Sequence, residues 1–315
     1  MKIKHIGFLF LFFCITTQSI YAQWDAQMSQ YWRARNYYNP SFAGDANMIN
    51  TMLMHRQQWI GVHNAPKTSI LSVTMPIDFL GRNHGVGILM FNEKIGLFSN
   101  TIMAGQYAYK LNIKKKGKLN IGLQAGMSNV DFDANAIHIP ESNYHNKDDD
   151  AIPTGNGGKI IDASLGISWI TPRYWLGFSS SHLWDPSVEL DDNHTTYLAR
   201  SYYLMGGYNI TLNNPLIVLK PSAFFKTDAV TYQIDVTAMM EYKKTFNGGI
   251  SWRKDDGFVF LLGIKIKNID ACYSYDLSTS AIGRASGGSH EISIGYNIPL
   301  ENKVNRSSKK SVRIL

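Results

Sequence analysis

The sequence has little of what stabilises many exported proteins or forms a membrane helix. Only two of its 315 residues are cysteine, and Cys14 lies in an apolar stretch at the N-terminus. The other, Cys272, is therefore the single cysteine of an exported mature chain, which excludes an internal disulfide. Beyond the first stretch, no run approaches the roughly 18 uninterrupted apolar residues that a membrane helix requires.

Recognisable catalytic motifs are also missing. The sequence contains no G-x-S-x-G, Walker or dinucleotide-binding motif, and His290-Glu291 lacks the second histidine of a zinc-protease helix. His55, His63 and His84 fall on separate segments without the spacing of metal ligands. Asp148–Asp150 could bind calcium, although an acidic, solvated loop is the simpler interpretation. We therefore expect no enzymatic activity, no bound metal and no cofactor.

The positive charge is concentrated at the two ends of the chain. The formal net charge is +7, but Lys2 and Lys4 precede the apolar stretch at the N-terminus. The last fifteen residues carry five basic side chains against Glu301: Lys303, Arg306, Lys309, Lys310 and Arg313. The body between the ends is close to neutral, so a nucleic-acid partner is not expected.

The N-terminus has the layout of a secretory signal peptide. Lys2 and Lys4 are followed by an apolar core from Ile6 to about Ile15, and a polar stretch leads to Ala22. Residues 1–22 are therefore predicted to be removed on export. An exported chain that is rich in tyrosine and glycine and has no spanning helix is either a soluble β-rich protein or an outer-membrane barrel.

Hydrophobic residues recur with a period of two along most of the chain, which indicates an all-β fold. Near the C-terminus, Ile292, Ile294, Tyr296 and Ile298 alternate with Glu291, Ser293, Gly295 and Asn297. The pattern predicts about fourteen strands, near residues 48–60, 67–78, 84–92, 98–113, 118–131, 160–170, 173–182, 199–212, 216–227, 231–244, 246–254, 257–267, 269–277 and 288–300.

The lengths of the connections favour an antiparallel transmembrane barrel over a soluble sandwich. Connections after even-numbered strands are short, whereas those after strands five, seven and thirteen are long. Outer-membrane barrels have short periplasmic turns and longer extracellular loops. We therefore expect Ile292 and Ile294 to face lipid, and Glu291 and Asn297 to face a polar interior. Both termini are then predicted to be periplasmic.

Aromatic residues near strand ends are expected to form the interfacial girdles of such a barrel. The candidates are Tyr107 with Tyr109, Tyr174 with Trp175, Tyr202 with Tyr203, and Tyr273 with Tyr275.

An ordered series of short stretches resembles the PorP/SprF family of type IX secretion membrane proteins. The series begins with Gln27–Tyr31 and Tyr38–Gly44, and it continues with His55–Trp59 and Ala65–Thr68. Further along the chain come Leu219–Ser222, Ser251–Arg253, Tyr273–Asp276 and Gly288–Glu291. The resemblance implies an outer-membrane β-barrel that serves the type IX machinery, which exports adhesins and enzymes and supports gliding motility in some species. The family brings no catalytic residues.

The resemblance and the periodicity together predict four parts. These are the signal peptide (1–22), an N-terminal periplasmic or plug segment (23–47), the barrel (48–300) and a basic periplasmic tail (301–315). Expected partners are outer-membrane lipid, type IX components and a secreted cargo or adhesin, with the five basic tail residues as candidate contacts. The alternative function is a passive porin or hydrophobic-solute channel, which a barrel alone would equally allow.

Overall fold

The structure, a computed structural model, describes residues 25–113, 116–133, 157–191 and 194–300. The predicted signal peptide, Asp148–Asp150 and the basic tail lie outside this part of the chain. Within it, no helix is both long enough and apolar enough to cross a membrane. The short helices are α1 (Arg35–Tyr38), a single 3₁₀ turn (Pro40–Phe42) and α2 (Ala281–Ala285).

Seventeen strands make up most of the described chain. They are β1 (Met48–Gln57), β2 (Lys67–Phe79), β3 (Arg82–Ile95), β4 (Phe98–Ile113), β5 (Gly117–Phe132), β6 (Gly158–Ile170), β7 (Tyr174–Ser181), β8 (Ser187–Glu189), β9 (Thr195–Tyr197), β10 (Ser201–Tyr208), β11 (Ile210–Thr211), β12 (Ile217–Thr227), β13 (Tyr232–Tyr242), β14 (Phe246–Arg253), β15 (Gly257–Ile266), β16 (Ile269–Ser278) and β17 (Ser289–Pro299).

Fourteen of these strands close into one antiparallel barrel, which confirms the predicted fold class. Each barrel strand pairs with its neighbours in chain order, β10 pairs with β7 and β12, and β1 pairs with β17 to close the ring. The short β11 continues the path of β10 along β12, and β8 and β9 form a separate hairpin. Because every barrel strand is paired on both sides, the ring leaves no open sheet edge.

The two ends of the barrel differ in their connections, as the sequence predicts. Six connections, those that follow β2, β4, β6, β11, β13 and β15, meet at one end, and each has at most five residues. We call this the short-turn end. The opposite end carries the connections 58–66, 133–157, 182–200 and 279–288 among others, and we call it the long-loop end.

The faces of β17 are those that the alternation predicts. Ile292 and Ile294 are 49% and 48% exposed on the outer surface, whereas Glu291 and Ser293 are 0% exposed on the inner surface. The same alternation on the other strands gives the barrel a continuous apolar exterior. Such an exterior is stable only in contact with lipid, because exposed apolar area on this scale would drive association in water.

Of the aromatic residues predicted to form the girdles, some lie on the outer face and two do not. Tyr174 is exposed at the first residue of β7, whereas Tyr107 and Tyr273 are exposed on the outer face nearer the middle of β4 and β16. Trp175 and Tyr203 instead point inward and belong to the apolar cluster inside the barrel. Adjacent residues of a strand face opposite sides, so one member of each neighbouring aromatic pair must leave the lipid face.

Candidate functional site: the filled interior of the barrel

Residues 25–47, which we call the inner segment, lie inside the barrel and run along its axis. Asp25 contacts His182 and Tyr203 at the long-loop end, and the Gly44 carbonyl accepts a hydrogen bond from Lys110 at the short-turn end. Between these points Tyr31 is completely buried. The chain therefore descends through the interior before β1 starts at the short-turn end.

Glycines on the inner face of neighbouring strands make room for the inner segment. A Cβ at Gly122 of β5 would collide with the main chain of Pro40 and Ser41, and one at Gly85 of β3 would collide with the Ala43 carbonyl. A Cβ at Gly166 of β6 or Gly177 of β7 would collide with side chains of the inner segment, those of Asn39 and Phe42. Close backbone approach is a principal reason for glycine inside a strand.

Asn39 fixes the tightest part of the inner segment. Its Nδ2 donates hydrogen bonds of 3.1 Å to the carbonyls of Ile167 and Phe178, on adjacent barrel strands. Its Oδ1 accepts hydrogen bonds from the Ser41 amide and hydroxyl, at 3.0 and 2.7 Å. One buried amide thus stabilises the 3₁₀ turn and joins it to the wall, because all its hydrogen-bonding groups find partners.

Aromatic rings pack the middle of the interior. Tyr31 stacks on Phe224 of β12 with ring centroids 5.1 Å apart, and Tyr38 lies 4.6 Å from the same ring. The Tyr31 hydroxyl also bonds to Ser222 and Thr237. The inner segment therefore packs against the wall as a protein core does.

A buried ionic network holds the start of the inner segment at the long-loop end. The Glu291 carboxylate accepts hydrogen bonds from the Ser29 and Gln30 amides at 2.7 and 2.8 Å. Arg56 lies 3.3 Å from Glu291 and 2.7 Å from Asp276, and it donates to the Ser29 hydroxyl. Two backbone amides and a guanidinium thus compensate one fully buried carboxylate.

Arg253 extends the network to two further strands. Its guanidinium lies 2.9 Å from Asp276 and 3.1 Å from Asp235, and it donates to the Ser29 hydroxyl at 3.2 Å. Arg253 is 1% exposed. Ser29 is therefore held between two arginines and a carboxylate that belong to β1, β14 and β16.

A second group of buried charges surrounds Asp25. Its carboxylate lies 3.2 Å from His182, which is also 2.8 Å from Asp162, and the Lys226 ammonium donates to the Asp25 carbonyl at 2.9 Å. Burial alone would lower the pKa of His182, but the carboxylates of Asp25 and Asp162 outweigh it and raise that pKa to about 10. Burial opposes ionisation of Asp25 too, yet the charge of His182 holds its pKa well below the usual range. The pair is therefore charged at neutral pH.

The partner contacts that the sequence predicts are not among the residues that the structure describes. The five basic tail residues and Asp148–Asp150 lie outside the described residues. His55, His63 and His84 are on separate elements, and His84 bonds to Tyr107 on the outer face. Among the described residues, no group of three or more potential ligands could hold a metal ion.

The residues that form the interior network were missed, although their sequence pattern contains a signal for them. Arg56, Asp235, Arg253, Asp276 and Glu291 all occupy inward positions of the period-two alternation, and all lie near the long-loop end of their strands. Ionisable residues at inward positions are costly unless they are paired. Their repetition at one level of five strands could have indicated a shared partner inside the barrel.

Most of the short stretches that carry the family resemblance meet inside the barrel. Gln27–Tyr31 supplies Ser29 and Gln30, and Tyr38–Gly44 supplies the 3₁₀ turn. Four of the other six contribute Arg56, Arg253, Asp276 and Glu291 to the network. A family model described as type IX secretion system membrane protein PorP/SprF matches residues 20–296. The chain belongs to the PorP/SprF family. The predicted family assignment is confirmed, and this family member is an outer-membrane component of the type IX system.

Solved outer-membrane barrels have the same overall fold. The Pseudomonas putida toluene transporter TodX matches with a TM-score of 0.52 at 9% identity, covering 88% of this chain and 95% of TodX. A TodX deltaS2S3 mutant, described as a monoaromatic hydrocarbon channel, matches with a TM-score of 0.52 at 10% identity, covering 85% and 94%. At such low identity the likeness shows the fold alone. No curated protein sequence matches the chain significantly.

Proposed function

We propose that this PorP/SprF-family protein is a sealed barrel that supports secretion or surface attachment of a cargo protein, such as an adhesin, without conducting the cargo itself. The observation that carries the proposal is the inner segment, whose residues Gln30, Tyr31, Asn39 and Ala43 are 0% exposed inside the barrel. An interior packed in this way leaves no room for a polypeptide. The barrel then acts through its two ends and its lipid face, where it docks other type IX components. In species that glide, the same role would support motility.

The proposed orientation puts the long loops outside the cell and the short turns in the periplasm. β1 then starts from the periplasm and the basic tail returns to it, as the sequence predicts. The start of the described chain does not fit the prediction of a periplasmic N-terminus, because Asp25 lies at the long-loop end. We propose instead that the inner segment begins near the outer end of the barrel.

The tail is proposed to be an electrostatic contact for a periplasmic partner. Lys303, Arg306, Lys309, Lys310 and Arg313 are the candidate contacts, on a segment with too few apolar residues to form a core of its own. Truncation after Glu301 should leave the barrel folded but reduce partner co-purification and cargo export. Co-purification by the untruncated protein should itself weaken at high salt, where exposed charges are screened. Normal export by the truncated protein would contradict this role.

A deletion strain tests the proposed function. Loss of the gene should deplete one or a few large secreted or surface proteins, with unchanged uptake of small solutes. The comparison requires a secretome measurement and a permeability assay on the same strains, with the wild-type gene restored as the control. Reduced uptake with an unchanged secretome would instead support the alternative function as a porin or hydrophobic-solute channel.

A further inference from the structure

Exposed positive charge collects at one end of a barrel whose overall charge is close to neutral. Five of the six connections at the short-turn end carry an exposed basic side chain in the turn or at its edge. These six residues, which we call the basic ring, are Arg82, Lys116, Arg173, Lys243, Lys244 and Lys267.

Nearby acidic side chains do not neutralise the basic ring. Three acids at this end are already held by other cations: Asp45 by Arg35, Asp270 by Arg33 and Glu241 by Lys220. Among the described residues of the short-turn end, Asp78 is the one remaining acidic side chain, and it is exposed. The basic ring therefore has a surplus of positive charge that is open to an external partner.

The long-loop end has no comparable surplus in the part of the chain that is described. Asp185 and Asp255 at this end pair with Arg200 and Lys254. The exposed bases Lys67, Lys94 and Lys159 are balanced by other acids that are exposed or half-buried, which are Asp131, Asp133, Glu189 and Asp228. The positive surplus is thus specific to the short-turn end and does not reflect a generally basic surface.

The basic ring lies at the level where the outer face changes from apolar to polar. Lys243 has its ammonium 5.2 Å from the ring of Tyr242, an exposed residue of the outer face. Arg173 adjoins Tyr174, which stacks on Tyr208 with ring centroids 6.3 Å apart. Exposed tyrosines at strand ends mark the interface between hydrocarbon and headgroups. Lysine and arginine side chains beside them reach the headgroup phosphates.

The distribution of the charges indicates the kind of partner. The basic residues are spread over five hairpins around the circumference, whereas a protein docked at one side would contact only part of them. A lipid leaflet surrounds the whole barrel and meets every hairpin at the same depth. We propose that the basic ring binds the anionic phospholipid headgroups of the leaflet at the short-turn end. It thereby enriches anionic lipid around this protein and fixes its depth in the membrane.

The test compares two matched triple variants of the full-length mature protein in nanodiscs of mixed phosphatidylglycerol and phosphatidylcholine. Lys243→Gln/Lys244→Gln/Lys267→Gln removes half of the basic ring, and Lys67→Gln/Lys94→Gln/Lys159→Gln removes three exposed lysines at the opposite end. Native mass spectrometry measures the lipids retained by each protein. Each lysine near an anionic surface strengthens binding to that surface by about fivefold. The first variant lacks three such lysines, so its preference for phosphatidylglycerol should fall by at least about fivefold. The second should keep the wild-type preference.

Three results would overturn the proposal. The first is a wild-type protein that retains both lipids in their bulk ratio at low salt. The second is an equal loss of preference in the two triple variants. The third is a ring variant with the wild-type lipid preference that no longer co-purifies with a periplasmic protein, since the basic ring would then be a protein-docking surface. If the proposal holds, the preference of the wild-type protein for phosphatidylglycerol should weaken at high salt, because exposed charges are then screened.

Discussion

A single carboxylate at Glu291 ties the beginning of the inner segment to the last barrel strand. Glu291→Gln keeps the shape of the side chain but removes its negative charge. That charge compensates Arg56, and the carboxylate accepts hydrogen bonds from two backbone amides. We expect a loss of about 3 kcal/mol in the free energy of unfolding, the low end for breaking a buried ion pair, because Arg56 keeps Asp276. Urea unfolding in detergent micelles, followed by tryptophan fluorescence, measures the loss.

An exposed glutamate supplies the control for Glu291. Glu189 lies on the β8–β9 hairpin with an exposed side chain. Glu189→Gln should change the free energy of unfolding by less than about 0.5 kcal/mol, as is usual for surface substitutions. A similar small effect at both positions would mean that the Glu291 contacts contribute little to stability.

The contact between Asp25 and His182 should make stability depend on pH. The folded-state pKa of His182 is raised to about 10 from the usual 6.5, so its contribution is complete below pH 6.5 and is lost as the pH rises towards 10. The pKa of Asp25 is lowered, so its contribution is lost only in acid. The His182→Gln variant should show a flatter decline in thermal stability between pH 6.5 and 10 than the wild type, and parallel curves would contradict this prediction.

For single residues, the sequence predicts which face of the barrel wall a side chain occupies but not which residues surround it. The alternation correctly gave Ser293 an inward side chain, and a polar interior would accept a large substitution there. In the structure Ser293 is completely buried and its hydroxyl donates to Gln30, 263 residues away in the chain. A strand pattern reports which face a residue occupies. It does not report which distant segment covers that face.

Glycine positions test how closely the inner segment approaches the wall. In Gly122→Ala the new methyl group would meet the backbone of Pro40 and Ser41. Since the backbone on both sides must shift, we expect a destabilisation of about 1–3 kcal/mol, typical of an overpacked core. Gly105→Ala is the matched control on the adjacent strand, because its methyl group would meet nothing within 4 Å. Heat-modifiable migration on gels measures the midpoint for each variant, and identical midpoints would argue against close packing at Gly122.

Strand β17 allows a test of membrane depth on one face. Ile294 lies at mid-strand and Ile298 near the short-turn end, and both are exposed on the outer surface. Ile294→Arg should cost about 2–4 kcal/mol, as lipid-facing arginine does near the bilayer midplane, whereas Ile298→Arg should cost about 0–1 kcal/mol near the interface. Folded yield in lipid vesicles compares the two. Equal yields would mean that the outer face of β17 does not cross a bilayer.

The barrel strands could be predicted because each one repeats a two-residue period with apolar side chains outward. The inner segment has no such period, and its structure depends on contacts such as Ser29 with Glu291, which are 262 residues apart. Its fold is therefore determined by the completed barrel rather than by local sequence. The family resemblance included both Gln27–Tyr31 and Gly288–Glu291, but short motifs do not reveal that they meet in space.

At the scale of the whole molecule, the filled interior predicts that the barrel does not conduct ions. This property distinguishes it from a passive porin. A barrel with a water-filled lumen conducts ions, and a passive porin would do so continuously. Here the ionic network around Arg56 occupies the long-loop end of the interior, and the aromatic cluster around Tyr31 and Phe224 occupies its middle. The full-length mature protein in planar bilayers should therefore give no stable current steps, and Gly105→Ala should behave in the same way. Gly122→Ala, which displaces the inner segment from the wall, should produce brief openings. Steady conductance from the wild-type protein would show that ions pass through or around the inner segment and would restore the channel as the better account of its function.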